Sequence, residues 1–131
     1  MIEAKTKKIL IVEDDEDIQE MYRMFFESVH DRYHIDIEGE GGVALNRLKA
    51  KTYDLIILDI VMEPMSGDSF LYYARQDKRT QNTPVLVVSV LESEILENLK
   101  KLPNVDFLQK PVTQEQLFSR IDSLLHTDKT G

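Results

Sequence analysis

The chain has 131 residues, of which 42% are hydrophobic and 31% are charged, and its formal net charge is −8. These values are typical of one soluble globular domain and exclude a disordered chain. The absence of cysteine excludes disulfides, thiol catalysis and cysteine-based zinc sites. The acidic balance disfavours direct binding to nucleic acid or to an anionic membrane, because both need a basic surface.

Nothing in the sequence predicts a signal peptide or a membrane span. The polar N-terminus is followed by a short apolar run at residues 9–12, which ends at Glu13. A signal peptide and a membrane span both need a longer apolar segment. The chain has no internal repeat, low-complexity tract or linker. We therefore expect one cytoplasmic domain over residues 5–127, followed by a polar tail over residues 128–131.

The first element in chain order is the apolar run at residues 9–12, which predicts a strand buried on both faces. It leads directly into an acidic stretch at residues 13–17. Acidic residues in the first turn of a helix interact favourably with the helix dipole, so this stretch could serve only to cap a helix. Asp15 is the clearest candidate for such a cap. The apolar residues that follow recur at helical spacing and predict one buried helix face: Ile18, Met21, Tyr22, Phe25 and Phe26.

The rest of the chain continues to alternate strand and helix patterns. An edge strand is indicated by weak alternation, a buried strand by an apolar run, and a helix by apolar residues at helical spacing. Thr113 and Gln116 form a capping box that opens the last helix. In order, the predicted segments are a strand at 33–37, a helix near 43–48, strands at 55–58 and 85–88 with a helix near 70–74 between them, a helix over 92–102 stopped by Pro103, a strand at 105–108 and a helix to residue 125.

Five strands alternating with five helices predict a doubly wound α/β fold around a five-stranded parallel sheet. Parallel strands need crossover helices, and such crossovers are right-handed. The pattern alone does not fix the strand order, but 2-1-3-4-5 is a common solution at this size and is the order we expect. In open sheets of this kind, ligands bind just outside the carboxyl ends of the strands.

Polar residues follow four of the predicted strands at that edge: Glu13 and Asp14, Asp59, Ser89 and Lys110. Each has an ordinary interpretation when taken alone, as a capping acid, a turn residue, a strand-end hydroxyl or a solvated lysine. Together, three carboxylates at one place must protonate, move apart or bind a cation. Oxygen ligands without histidine or cysteine suit Mg²⁺. A carboxylate beside Mg²⁺, with a lysine and a hydroxyl across the pocket, is equipped for phosphoryl transfer.

At this point the chain resembles a known family, the receiver domain of two-component response regulators, which has a flavodoxin-like fold. The resemblance extends over essentially the whole chain, and four segments in the same order carry it. They are residues 9–15, residues 54–59 with Gly67 eight residues after Asp59, residues 83–89 and residues 107–111.

The resemblance implies how the acceptor and the metal are held. Asp59 would be the phospho-acceptor. Asp14 would bind Mg²⁺ directly, and Glu13 would act directly or through water. The main-chain carbonyl of Val61 would complete the protein's share of the metal site.

The resemblance also implies the groups that sense the phosphate. Ser89 and Lys110 would hold the phosphoryl group, and Phe107 would be the aromatic switch residue that turns inward when Ser89 moves. The phosphate would come from a histidine kinase or a phosphotransfer protein. The fourth helix, fifth strand and fifth helix would bind a downstream protein or effector domain, or a second copy after phosphorylation. The protein would be a signalling receiver that catalyses only its own phosphorylation and dephosphorylation.

Several positions depart from the pattern of the family. Glu63 stands where a proline usually follows the acceptor, and Pro64 comes one residue later. Val90 stands where a small residue usually follows the hydroxyl, so we expect it to slow phosphoryl entry or hydrolysis. Phe107 replaces the commoner tyrosine, so the switch would rest on packing alone.

Other functions stay open at this point. A degenerate receiver that binds proteins without phosphorylation is compatible with Val90 and Pro64. A haloacid-dehalogenase-type phosphatase needs an aspartate at position 61, where this chain has Val61. A flavodoxin needs hydroxyl groups to hold a phosphate at positions 13–15, where this chain is acidic. Both alternatives are therefore disfavoured. The histidines are predicted to lie at the surface without a chemical role: His30, His34 and His126.

Overall fold

The computed structural model describes residues 6–61, 65–90 and 94–126, which form five strands alternating with five helices. The predicted succession is therefore confirmed. None of the helices in these ranges is long and apolar enough to cross a membrane. The elements are β1 (Lys7–Val12), α1 (Glu16–Glu27), β2 (Tyr33–Glu38), α2 (Gly41–Ala50), β3 (Leu55–Leu58), α3 (Gly67–Gln76), β4 (Val85–Ser89), α4 (Glu94–Leu99), β5 (Val105–Gln109) and α5 (Gln114–His126).

The five strands form one parallel sheet in the order β2-β1-β3-β4-β5, as expected. In this register Val12 lies opposite both Glu38 and Leu58, so three neighbouring strands end at the same height. The residues that follow these ends consequently meet at one edge of the sheet. That edge is called the carboxyl edge below, and the opposite one the amino edge.

Helices cover both faces of the sheet, which explains why its central strands are continuous apolar runs. Successive side chains of β1 point to opposite faces. Leu10 and Val12 pack in a core with α2, α3 and α4, whereas Ile9 and Ile11 pack in a second core with α1 and α5. Residues 9–12 and 55–58 are at most 1% exposed, so both predicted buried strands are confirmed.

Three aromatic rings hold the edge strand β2 against the helices. The ring of Phe26 in α1 meets those of Tyr33 and Phe118 edge-on, with centroids 5.9 and 5.1 Å apart. The rings of Tyr33 and Phe118 are nearly parallel, with centroids 6.2 Å apart. Such pairs add roughly 0.5–1.5 kcal/mol each beyond the area they bury. They hold the amino end of β2, where Tyr33 lies, against α1 and α5.

The helix-capping signals in the sequence are used as predicted. The Asp15 carboxylate accepts hydrogen bonds from the backbone N–H groups of Asp17 and Ile18, which makes Asp15 the N-cap of α1. The Thr113 hydroxyl accepts from the Gln116 N–H, and the Gln116 side chain accepts from the Thr113 N–H. The capping box at the start of α5 is thus confirmed.

Helix α4 ends earlier than the sequence predicts. The described helix stops at Leu99, and the N–H groups of Lys101 and Leu102 bond three residues back instead of four. Pro103 follows and has no N–H to continue the helix. Asn104 then takes a left-handed conformation, with φ of 57°, and leads into β5. The start of the predicted helix, at residues 92–93, lies outside the described residues.

Candidate functional site

The predicted site residues converge at the carboxyl edge. Glu13 follows β1, Asp59 follows β3, Ser89 ends β4 and Lys110 follows β5. Glu13, Asp59 and Ser89 are only 1%, 6% and 3% exposed, respectively. Acidic residues are almost never fully buried unless they are paired. Two buried carboxylates at one place therefore need a partner of opposite charge.

Lys110 is the cation that pairs with these carboxylates. Its Nζ lies 2.9 Å from Glu13 Oε1 and 3.4 Å from Asp59 Oδ2. Its backbone N–H donates to the Ser89 carbonyl oxygen at 2.9 Å, which ties the end of β5 to the end of β4. The sheet register thus delivers the ammonium to the same pocket as the two acids.

Burial and charge shift the pKa values of this pair. Burial raises the pKa of Glu13, and the hydrogen bonds from Lys110 and from the Asp15 N–H only partly oppose that rise. For Lys110, burial lowers the pKa, but the hydrogen bond and charge of Glu13 and the charge of Asp59 outweigh burial and raise it. Burial has the larger effect on the pKa of Glu13, and pairing has the larger effect on the pKa of Lys110. Both shifts favour the protonated form, so the pocket favours added positive charge.

Glu13, Asp14 and Asp59 can offer carboxylate oxygens that all lie within 4.8 Å of one another. Opposite ligands of an octahedral Mg²⁺ ion are about 4.2 Å apart, so one ion fits among them with small side-chain movements. Asp14 is exposed, whereas the other two acids are buried. Three carboxylates face one ammonium, and the excess negative charge matches a divalent cation. Among the described residues, no other group of three or more acids or histidines is this close.

The Asp59 carboxylate is held on both oxygens. Its Oδ1 accepts from the Val61 N–H at 3.3 Å, and its Oδ2 faces Lys110. Its own backbone N–H donates to the Val12 carbonyl oxygen at 3.1 Å. Val61, predicted to supply a main-chain carbonyl, therefore lies next to the acceptor. Met62, Glu63 and Pro64 lie outside the described residues, so the departure at Glu63 and Pro64 stays a prediction.

Gly67 brings the start of α3 against the acceptor's backbone. Its N–H donates to the Ile60 carbonyl oxygen at 3.0 Å. A Cβ added at Gly67 would lie 2.6 Å from the Cα of Ile60 and 2.9 Å from the carbonyl carbon of Asp59, and closer still to the Asp59 carbonyl oxygen. The φ of Gly67 is not positive, so the backbone conformation itself does not require glycine. Glycine is required at this position because there is no room for a Cβ.

Gln19 is a site neighbour that the sequence analysis missed. Its side-chain Nε2 donates to the Glu13 carbonyl oxygen at 2.6 Å. Helical spacing places Gln19 one turn after the cap residue Asp15, and its N–H bonds to the Asp15 carbonyl oxygen. A long amide at that position, just after an acidic loop, was the one signal in the sequence that could have identified it.

The remaining predicted positions surround this centre. Phe107 is partly buried against the core that contains α3 and α4, and the Lys100 ammonium lies 5.9 Å from its ring centroid. Val90 is 58% exposed and, with Val88 and Lys110 among others, lines an apolar cavity of about 290 Å³ between α1 and the segment that joins β5 to α5. The histidines at 30 and 34 are exposed, as predicted, whereas the side chain of residue 126 is outside the description.

Comparisons with known proteins agree with this geometry. The family described as the response regulator receiver domain matches residues 9–122. The response regulator ArlR of Staphylococcus haemolyticus is 34% identical over 119 residues, which are 89% of this chain and 52% of that protein. The chain thus spans about half the length of the curated response regulators it matches.

Solved structures share the fold. Chemotaxis protein CheY4 of Vibrio cholerae superposes with a TM-score of 0.84 at 25% identity, covering 92% of this chain and 100% of that one. The receiver domain of the sensor histidine kinase PA1611 from Pseudomonas aeruginosa, at 20% identity and a TM-score of 0.81, covers 92% of this chain and 98% of that one. That structure has a magnesium ion coordinated in its active-site cleft.

Proposed function

The chain belongs to the family of response regulator receiver domains, and from this premise we propose that it accepts a phosphoryl group on Asp59 in a Mg²⁺-dependent reaction. The observation that carries the proposal is the position of Asp59. Its buried carboxylate lies at the carboxyl edge, beside two further acids that could share a cation with it and beside the Lys110 ammonium.

In the proposed reaction, an oxygen of Asp59 attacks the phosphorus of a phosphohistidine on the donor protein. An O–P bond forms as the P–N bond breaks, and the electron pair of that bond stays on the imidazole nitrogen. Lys110 offers its ammonium to a phosphoryl oxygen, and the Ser89 hydroxyl donates a hydrogen bond to another. Placing the acceptor and these donors in a buried pocket orients the reacting groups and strengthens their electrostatic interactions.

The acidic cluster fits a bound magnesium ion, and Asp14, Asp59 and the Val61 carbonyl would be its direct ligands. Both oxygens of Glu13 already accept hydrogen bonds, one from Lys110 and one from the Asp15 N–H at 3.1 Å. Glu13 is therefore better placed to act through a bound water. When present, Mg²⁺ supplies positive charge that offsets the charge of the phosphoryl oxygens. A protein of the same fold holds magnesium in its cleft.

The signal would leave the domain through α4, β5 and α5. Ser89 ends β4 beside the acceptor, and Phe107 lies opposite Val87 on the neighbouring strand. A shift of the hydroxyl toward a phosphate would open space into which Phe107 can turn. Leu99 of α4 is fully buried, so it packs in the core and does not contribute to the partner face. The partners would be a histidine kinase or phosphotransfer protein and a downstream protein, effector domain or second copy.

Intact mass measured after incubation with acetyl phosphate tests this function. With Mg²⁺ the wild-type chain should gain one phosphoryl group, and without Mg²⁺ or in Asp59→Asn it should gain none. Asp54→Asn is the matched control, because Asp54 is exposed at the amino edge and its side chain accepts a hydrogen bond from the Lys8 backbone N–H, far from the candidate site. This control should be phosphorylated like the wild type.

If the wild type gains no phosphoryl group under any condition, beryllofluoride binding shows whether fast hydrolysis has hidden the product. Failure both to gain the group and to bind beryllofluoride would refute the proposal. A chain that neither gains the group nor binds beryllofluoride would be a binding module that works without phosphorylation.

A further inference from the structure

The side chain of Gln19 reaches back over the first turn of α1 to the loop that carries the candidate metal ligands. Its Nε2 donates to the Glu13 carbonyl oxygen at 2.6 Å. That oxygen belongs to the peptide group whose nitrogen is the backbone nitrogen of Asp14. The hydrogen bond therefore fixes the plane of the peptide that leads directly into Asp14.

The surroundings strengthen this contact. Gln19 is only partly exposed, and the backbone of Gly39 lies beside it, since a Cβ added there would be 3.5 Å from Gln19 Nε2 and 3.9 Å from the Glu13 carbonyl oxygen. The Glu13 N–H donates to the Glu38 carbonyl oxygen at 3.0 Å. The backbone N–H of Glu13 is thus bonded to the end of β2, and its backbone carbonyl is bonded to Gln19.

The main chain of Asp14 is consequently held through its neighbour, although the Asp14 side chain is exposed. Mg²⁺ requires a nearly ideal octahedral arrangement of its ligands. A ligand on a loosely held loop would lose conformational entropy when the ion binds, whereas a ligand on a fixed peptide loses less.

From this geometry we infer that Gln19 is a positioning residue of the metal site, which raises the affinity for Mg²⁺ by holding the peptide between Glu13 and Asp14. The inference depends on the proposed function, because it assumes that Asp14 binds the ion. Gln19 touches neither the ion nor the phosphoryl group in this role. Groups that orient metal ligands typically change metal affinity by roughly 10–100-fold when they are removed.

The test compares Gln19→Met, which keeps the length of the side chain but removes the donor, with Gln76→Met as a control. Gln76 is an exposed glutamine at the end of α3. Mg²⁺ titrations followed by amide chemical shifts should give a Kd that is about tenfold higher for Gln19→Met, at the lower end of the usual range. Gln76→Met should bind Mg²⁺ like the wild type.

Two further readouts separate positioning from a merely structural role. The Mg²⁺ concentration that gives half the maximal phosphorylation rate should rise by the same factor in Gln19→Met, while the rate at saturating Mg²⁺ stays close to that of the wild type. In the wild type without metal, the side-chain amide protons of Gln19 should exchange with solvent more slowly than those of Gln76. The exchange comparison needs no variant, so it stands even if Gln19→Met does not fold.

A Kd for Gln19→Met within twofold of the wild-type value would overturn the inference and leave the proposed function intact. Equal exchange of the Gln19 and Gln76 amides would also overturn it, as would an equal rise of the Kd in Gln76→Met. Absence of Mg²⁺ binding to the wild-type chain would overturn the inference together with the proposed metal site.

Discussion

Replacing Gly67 with alanine should change the stability of the protein through two opposing effects, packing and helix propensity. The added Cβ would lie 2.6 Å from the Cα of Ile60 and 2.9 Å from the carbonyl carbon of Asp59. These groups must move apart by about 1 Å to reach ordinary van der Waals contact. Both contacts are with backbone atoms, so a change of side-chain rotamer cannot relieve them. We therefore take the loss of stability from this contact as about 3 kcal/mol, the upper end for overpacking.

Helix propensity acts in the opposite direction. Alanine is the better helix former by about 1 kcal/mol, so a net loss of about 2 kcal/mol is expected for Gly67→Ala. Urea unfolding should show a midpoint lower by about 1 M, because slopes for small domains are about 1–3 kcal/mol/M. The shift also displaces the acceptor, and a misplacement of about 1 Å can slow a reaction by about 100-fold. Phosphorylation of Asp59 by acetyl phosphate should therefore slow by a factor of that order.

Gly42→Ala provides the matched control, since an added Cβ at this early position of α2 meets no heavy atom within 4 Å. This variant should be as stable as the wild type or more stable by about 0.5–1 kcal/mol. A Gly67→Ala protein that unfolds at or above the wild-type urea concentration, with an unchanged slope, would refute the packing argument. A destabilised Gly67→Ala protein with a normal phosphorylation rate would refute only the link to the acceptor.

Two further predictions concern the site's rim and the edge strand. The Val90→Ala variant should be phosphorylated or dephosphorylated about two- to tenfold faster than the wild type, because the exposed Val90 lines the cavity beside Lys110. This factor corresponds to a barrier lower by up to about 1.4 kcal/mol. Unchanged rates would show that Val90 does not slow either reaction. Burial alone raises the pKa of Asp36, but hydrogen bonds from Tyr53 and Lys51 and nearby positive charges outweigh it and hold the pKa below its ordinary 3.8. The stability from this carboxylate is present above that ordinary value and is lost as pH falls through the lowered pKa. Asp36→Asn should therefore cost about 1–2 kcal/mol at neutral pH and less in urea unfolding well below pH 3.8. An equal cost at both pH values would contradict the assignment.

The fold was predictable because its signals are local. The runs at residues 9–12 and 55–58 have the length and composition of strands buried on both faces, and the capping box of Thr113 and Gln116 marks the start of α5 without reference to the rest of the chain. The convergence of Glu13 with Asp59 followed from one general rule, that parallel strands end at a common edge. The sheet register of β1 and β3 confirms it.

What could not be predicted depends on side chains that cross between elements. Nothing in the sequence indicates that Lys110 lies closer to Glu13 than to Asp59, or that Gln19 bonds to a backbone carbonyl. The end of α4 was missed for the same reason. The Arg75 guanidinium bonds to the carbonyl oxygens of Pro103 and Asn104, at 3.2 Å each, and thereby fixes a turn where the spacing of apolar residues favours more helix.

The two edges of the sheet differ in what holds them. At the amino edge, Arg75 also donates to the carbonyl oxygens of Thr80 and Thr83, and Arg79 donates to those of Leu48 and Lys49 at the end of α2. Hydrogen bonds to a charged donor contribute about 1.5–3 kcal/mol each when well formed, so this edge joins three loops firmly. The carboxyl edge instead gathers three carboxylates against the one ammonium of Lys110, and the excess negative charge opposes folding until a further cation offsets it. Stability supplied at the amino edge allows that repulsion to persist, and the repulsion is what makes the free energy of the carboxyl edge depend on a bound cation or phosphoryl group.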